Sequence, residues 1–557
     1  MIQRKRWNLL STREKRPLMD VLLANRGIDR ERFLSIVEED YLYSPYAMRD
    51  MDRAVARISK AVREGQRIVV FGDYDADGIT STALLMDFFE KAEADATYVL
   101  PHRVLDGYGM RPEGVHKAQA MGAELIVTVD NGMSSKRAVK RANELGIDVV
   151  VTDHHLQEGE VPEAMAILNP NRQDGTYPFK GLSGVGVAYK LATALAEECL
   201  LPLLRAPFLH SVLDLVALGT VTDVAPLVEE NRILVKRGLE AIARSRRLGI
   251  RELLRITGNR DRPVTSTTIG FQLGPRINAA GRLDQPETAL RLLRTKDEEE
   301  ARKLADQLNR LNVQRQEMVE AWMQEAESKI AVKGCLDHRM IVLCNENWHV
   351  GVVGLMAQRL AERYDRPCIV FGGTGDEDVL TGSARSVGAF NITEAIGQFT
   401  PLLIAFGGHE GASGLSLAKD QYEQFRGGIL AYADEQLTEA DLVRTVNIDC
   451  VILPEEVTLE TVAEVAQLEP FGEGNPEPIF MLENVRIAGL RTLSGGKHVK
   501  LWVEQTGRRF ECVGWGMGDL YYELQRGRQV DVAFRLKENR WGGQRTVQLV
   551  LEDLRIW

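Results

Sequence analysis

"VVFGDYDADGITSTALL" (residues 69–85) sets three carboxylates, Asp73, Asp75 and Asp77, at alternate positions directly after an apolar run. RIVVFG (67–72) reads as a buried strand and ITSTALLMDFFEK (79–91) as a helix with one apolar face. The turn between them carries the acids. Three such charges repel one another unless a cation sits among them. A DxDxD on its own can also be a turn or a helix cap.

The neighbouring stretches give the acids company. AELIVTVDNG (123–132) and GIDVVVTDHH (146–155) are short β-branched runs that end in polar residues, each flanked by helical sequence. Strands alternating with helices predict a parallel sheet covered on both faces, and such sheets gather ligands at the carboxyl ends of their strands. Three strand ends then deliver Asp73/Asp75/Asp77, Asp130 and Asp153/His154/His155 to one edge. A helical region, 183–224, closes with DLVALGTVTDVAPL and adds Asp223. Asp75, Asp77, Asp130, His154 and Asp223 together suit two Mg²⁺ or Mn²⁺ ions, since hard cations take oxygen ligands and imidazole favours the transition metal. Asp130, on the middle strand, is the expected bridge. Paired ions are a known solution for phosphoryl hydrolysis. His155 would then face the substrate as a hydrogen-bond donor or as an acid to the leaving group.

Further along, KDEEEARKLADQLNRLNVQRQEMVEAWMQEAESK (296–329) holds no Gly or Pro and predicts a long helix joining two domains. RMIVLCNENWHVGVVGLMAQRLAERYDRPCIVF reads strand, loop, helix, strand, and GSARSVGAFNITEAI and LIAFGGHEGASGLSL set Gly-rich loops beside basic or His residues. From about 445 the pattern becomes short alternating runs with hairpin turns such as SGGK and RWGGQ, the pattern of a small all-β barrel.

Bulk properties restrict the alternatives. A chain of 557 residues implies several domains. A net charge of −11 argues against coating nucleic acid by bulk charge, although residues 481–557 carry 13 Lys/Arg against 9 Asp/Glu. The six cysteines form no CxxC pair, which fits a reducing compartment, and the basic N-terminus lacks a secretory core. No apolar run approaches the roughly 18 residues of a membrane span, so the expectation is a cytoplasmic chain with no membrane partner.

DYDADG (73–78), VDNG (129–132), DHH (153–155) and TVTDVAPL (220–227) resemble the motifs of the DHH phosphoesterase superfamily. GGHEGASG (407–414) is similar to the motif of its companion DHHA1 domain. GPRINAAGRL (274–283), WHVGVVGL (348–355), SARS (383–386) and PFGEGNPEP (470–478) resemble its branch of single-strand-specific exonucleases. The resemblance implies 5′→3′ hydrolysis of single-stranded DNA to 5′-mononucleotides in repair and recombination, with Mn²⁺ or Mg²⁺. It adds Asp73 as a metal ligand or as a group behind the ligands, and implies single-strand-binding protein and a helicase as partners; a fully equipped multidomain chain is expected to act as a monomer. It implies phosphate contacts from Ser383, Arg385, Gly408 and His409 in the second domain, with Arg103, Arg276 and Asn278 as further candidates. The barrel resembles an oligonucleotide-binding fold, in which Trp502, Phe510 and Trp515 alternate with Lys500, Arg508 and Arg509. The organisation expected is an N-terminal extension 1–45, a catalytic α/β domain 46–295, a connector helix 296–332, a second α/β domain 333–443 and a barrel 444–557. Competing readings are a phosphodiesterase of short oligoribonucleotides or cyclic dinucleotides, a manganese pyrophosphatase, and a non-catalytic scaffold gripping single-stranded DNA. The first two have no use for the long connector and barrel, and the third is expected to have lost ligands.

Overall fold

The computed structural model describes residues 5–556 except 14–15, 29, 31–32, 34–41, 104–105, 108, 158, 333, 374, 376–377 and 542. Parts of the N-terminal extension, of the PHRVLDGYG segment and of the RWGGQ turn therefore lie outside the described residues. The chain opens with strand β1 (Arg6–Leu9) and a helix, Leu18–Asn25. Five parallel strands follow: β2 (Ile68–Phe71), β3 (Ala96–Val99), β4 (Leu125–Val129), β5 (Asp148–Thr152) and β6 (Ala166–Leu168), in the order β3-β2-β4-β5-β6. β4 lies between β2 and β5, as the placement of Asp130 requires. The sequence reading passed over β3 and β6, whose runs ATYV and AIL are too short to show a period.

Alternation along β2 explains the two covered faces. Ile68 and Val70 enter one core with the helices Ala76–Lys91 and Gly184–Cys199, while Val69 and Phe71 enter the other with the helices Pro112–Ala120 and Lys136–Glu144. One helical stretch among the described residues, Pro202–Thr222, is long and apolar enough to cross a membrane by composition, contrary to the sequence expectation. It consists of two helices. The second, Leu213–Thr222, is a core helix packed on Ala76–Lys91 and Glu229–Ala243.

The helix Glu298–Val332 runs 35 residues into the second α/β domain. That domain has a mixed sheet of β7 (Ile341–His349), β8 (Cys368–Gly373), β9 (Val379–Arg385), β10 (Leu403–His409) and β11 (Ala412–Ala418), in the order β10-β11-β9-β8-β7. GGHEGASG is a correction. It is a tight hairpin between β10 and β11, in which His409 pairs with Ala412, and most of its glycines are strand residues.

After β12 (Thr445–Ile448) and β13 (Cys450–Val451), a barrel is built from β14 (Phe480–Leu493), β15 (His498–Gln505), β16 (Arg508–Gly514), β17 (Gln529–Trp541) and β18 (Gln544–Ile556). The order β14-β15-β16-β18-β17 closes through pairing of β14 with β17. The N-terminal segment belongs to this barrel. β1 pairs in parallel with β12, and Leu18, Val21, Leu22 and Leu23 sit in the barrel's core. Arg26 forms a buried ion pair with Asp449 at 2.9 Å. The PFGEGNPEP loop returns to the first domain, where Glu473 O accepts from Leu227 N at 2.7 Å.

Candidate active site

Backbone devices place each acid. Asp73 follows β2 and is buried. Asp75 caps the helix Ala76–Lys91: its Oδ1 accepts from Asp77 N at 3.0 Å and Gly78 N at 3.1 Å. The cap reading and the metal reading thus both hold, because the cap occupies only one oxygen. Asp77 lies against the N-terminus of Gly184–Cys199, accepting from Gly184 N at 2.6 Å and Val185 N at 2.9 Å. Asp130 turns off β4 with φ 61°, a region non-glycine residues seldom occupy, and the adjacent Asn131 donates to Phe71 O and Val129 O. Asp223 ends the helix Leu213–Thr222.

The histidines follow β5. Buried Asp153 accepts from Met133 N (2.8 Å), His154 N (2.7 Å), His155 N (3.1 Å) and His155 Nδ1 (2.7 Å). Asn171 and Asn169 hold the carbonyls of His154 and His155. His154 Nε2 points inward, 3.1 Å from Asp130 Oδ1 and 3.9 Å from both Asp77 Oδ2 and Asp223 Oδ2.

Ligand atoms of Asp73, Asp75 and Asp130 lie within 4.8 Å of one another, as do those of Asp77, His154 and Asp223, and those of Asp130, His154 and His155. Asp130 belongs to two of these sets and sits between the outer acids. Asp73 Oδ1, Asp130 Oδ1 and His154 Nε2 are buried with no hydrogen bond to satisfy them. Orphaned atoms inside these ligand sets fit cations. Burial, and then the neighbouring carboxylates, push Asp73, Asp130 and Asp223 well above the usual carboxylate range. Burial and Asp75 raise Asp77 to about 7. Burial lowers His154 to about 4, with the charge of His155 adding to it, so its ring is neutral and able to ligate. His155 is the opposite case. Burial opposes its charge, but the hydrogen bond and charge of Asp153 outweigh that and raise it to about 9. Asp153 is correspondingly held at about 2 despite its burial.

The expected phosphate contacts divide. Arg385 ends β9, its Nη1 donating to Ser383 Oγ at 3.1 Å and to Ala384 O. Burial, and then the charge of Arg103 from the first domain, lower its pKa. Arg103 lies 4.9 Å over the ring of Tyr74, inside the DYDADG turn. His409 is exposed beside Gly408, where a Cβ would meet Ala412 O at 2.2 Å. Neither joins the acid cluster. Arg276 donates to Gln272 O and Asn309 Oδ1. Asn278 Oδ1 accepts from Ala76 N at 2.8 Å and so buttresses the acid turn. In the barrel, Phe510 is core, whereas Trp502 has Arg491, Lys500 and Arg509 within 5.7 Å of its ring and Trp515 is 56% exposed. Sequence reasoning missed Asp153 as the group that orients His155, although it stands inside the DHH motif.

Comparison with known proteins gives three family matches: the DHH family N-terminal domain over residues 67–220, the DHHA1 domain over 337–436 and the RecJ OB domain over 448–553. The chain is 38% identical to the single-stranded-DNA-specific exonuclease RecJ of Salmonella typhimurium over 97% of its own length and 96% of that protein. The RecJ structure in complex with Mn²⁺ from Thermus thermophilus superimposes with a TM-score of 0.85 at 32% identity, covering 99% of this chain and 79% of that one. The complex with Mg²⁺ from the same organism gives 0.78 at 30% identity, over 99% and 78%.

Proposed function

The chain belongs to the RecJ family of single-stranded-DNA-specific exonucleases, and on that premise we propose that it degrades single-stranded DNA from the 5′ end to 5′-mononucleotides with Mn²⁺ or Mg²⁺. The observation that carries this reading is the set of unsatisfied buried atoms of Asp73, Asp130 and His154 within overlapping groups of ligand atoms. Asp73, Asp75 and Asp130 would hold one ion and Asp77, His154 and Asp223 the other, with Asp130 shared. When bound, the ions lower the pKa of the attacking water and offset negative charge on the phosphate.

The chain's own residues do the rest. Asp153 keeps His155 protonated at neutral pH, so the imidazolium donates to a non-bridging oxygen or gives its proton to the departing O3′. Water adds to phosphorus, the P–O3′ bond breaks, and the terminal nucleotide leaves with its own 5′-phosphate. Arg103, Ser383 and Arg385 clamp that terminal phosphate, and Arg385's rigid fork suits it. A clamp on a chain end favours exonuclease over internal cleavage. The scaffold reading is disfavoured because every metal ligand is in place. The same reading has the chain act as a monomer on DNA in the cytoplasm, in repair and recombination, beside single-strand-binding protein and a helicase.

One oligonucleotide, labelled at the 5′ end in one sample and the 3′ end in another, tests this with Mn²⁺, with Mg²⁺ and with chelator. Immediate release of a labelled mononucleotide from the 5′ end, gradual shortening of the 3′-labelled strand, and silence under chelator are the expected results. Release from the 3′ end first, or cleavage that survives the chelator, overturns the proposal.

A further inference from the structure

PFGEGNPEP (470–478) belongs to the barrel domain, yet its tip rests on the catalytic one. Phe471 O accepts from Ser266 Oγ, and Glu473 O accepts from Leu227 N at 2.7 Å. Just before the motif, Gln467 O and Leu468 O follow the C-terminal end of the helix Leu459–Ala466 and accept from buried Arg232. A cation suits such a helix end. The fit is close. A Cβ on Gly472 would lie 2.7 Å from Leu227 Cδ1, and one on Gly474, which has φ 69°, would lie 3.1 Å from Pro226 Cβ. Asn475 keeps the loop in this shape. It is buried, its Nδ2 donates to Leu468 O at 2.8 Å and to Pro470 O at 2.9 Å, and its backbone pairs with Gly472 in both directions.

The segment under the loop, Pro226–Val228, begins three residues after Asp223. Asp75 and Asp77 are held by backbone N–H groups, whereas the carboxylate of Asp223 accepts no hydrogen bond among the described residues. Its place depends on the turn that ends the helix Leu213–Thr222. There Val224 N donates to Val221 O and Ala225 N to Thr220 O, the pair of bonds that closes a helix through one left-handed residue. Glycine ordinarily fills that position. Here Val224 does, at φ 60°, where a β-branched side chain is disfavoured by about tenfold. Glu229, at the far end of the segment, is left-handed as well, with φ 43°. Strain of this kind persists only where the surroundings hold it. The segment between the two is held by Asn231, which donates to Pro226 O at 3.0 Å, by the burial of Leu227, and by the loop from the barrel.

We propose that the PFGEGNPEP loop is a positioning element for the metal site: it holds the strained turn at Val224 and so sets Asp223 beside Asp77 and His154. The proposal rests on the two-ion reading above. The barrel then takes part in assembling the catalytic centre as well as in gripping DNA.

The test is a calorimetric titration of the full chain with Mn²⁺ alone. Wild type, Asn475→Ala, Gly474→Ala and Val224→Gly are compared, together with each loop variant combined with Val224→Gly. Asn475→Ala, which frees the loop, is expected to weaken one of two bound ions about tenfold and to leave the other near wild type. Val224 is 63% exposed, so glycine there relieves the strain with little loss of packing. Added to Asn475→Ala, it is expected to bring the weakened ion back to within about threefold of wild type, while the melting temperature stays at that of Asn475→Ala or below. A loop that merely stabilises the fold would give no such separation of the two readouts. Gly474→Ala, which drives a methyl group toward Pro226, is expected to behave in the same way and decides the matter if Asn475→Ala does not fold. Wild-type Mn²⁺ affinity in the folded loop variants, equal weakening of both ions, or a loss that Val224→Gly leaves in place overturns the proposal. Fewer than two ions bound by the wild type overturns the two-ion reading and takes the proposal with it.

Discussion

Asp153 shows how much one side chain can set without touching substrate. Its four hydrogen bonds fix the turn that carries both histidines, and its hydrogen bond and charge keep His155 protonated. His155 is held at about 9, so its bond to Asp153 stabilises the folded chain fully below the ordinary histidine value of 6.5 and is lost as pH rises through about 9. Activity that needs the imidazolium should follow the same window. Asp153→Asn is expected to move the alkaline limb of the kcat profile from about 9 toward 6.5, with turnover at pH 6 changed far less than turnover at pH 8. An alkaline limb that does not move would separate His155 from proton donation. At this scale the sequence was legible wherever acids and imidazoles crowd together. Asp153 was hidden by its neighbours, because a lone sequence does not tell a ligand from the carboxylate that orients one.

Pairs of elements set the spacing of the acids. The helices Ala76–Lys91 and Leu213–Thr222 carry Asp77 and end at Asp223, and they touch at Gly219, where a Cβ would meet Thr80 Oγ1 at 2.3 Å and Asp77 Oδ1 at 2.7 Å. Gly219→Ala must push these helices apart. The expected cost is about 1–3 kcal/mol of stability by denaturant melt, together with weaker Mn²⁺ binding by calorimetry because Asp77 and Asp223 separate. Unchanged Mn²⁺ affinity would mean that this contact does not set the ligand spacing. The βα pattern of the first domain could be read because its strands are continuous apolar runs that end in charges. GGHEGASG could not. Its glycines carry no side-chain period, so a paired strand and a loop look alike until the partner strands Val379–Arg385 and Ala412–Ala418 are seen side by side.

Across the whole molecule, the chain's first strand and helix lie in its last domain. No periodicity or composition joins Arg6–Asn25 to the barrel, since a contact between the two ends of a sequence leaves no local mark. The barrel itself was legible from its hairpins. Removing 444–557 alone should therefore strand Leu18, Val21, Leu22 and Leu23 in water, each worth roughly 1.5–3 kcal/mol of lost burial. That variant is expected to aggregate in light scattering, whereas removal of 1–41 as well should give a soluble two-domain protein. Equal solubility of the two would show that the N-terminal segment is not dependent on the barrel. The same arrangement bears on synthesis. Arg6–Asn25 leaves the ribosome long before Thr445–Ile448 exists to receive it, and a nascent chain folds its earlier domains first. Through most of translation the catalytic domain can close while its apolar leading segment remains unhoused. A chaperone's claim on this protein should therefore be strongest at its beginning and end only with the completion of the barrel.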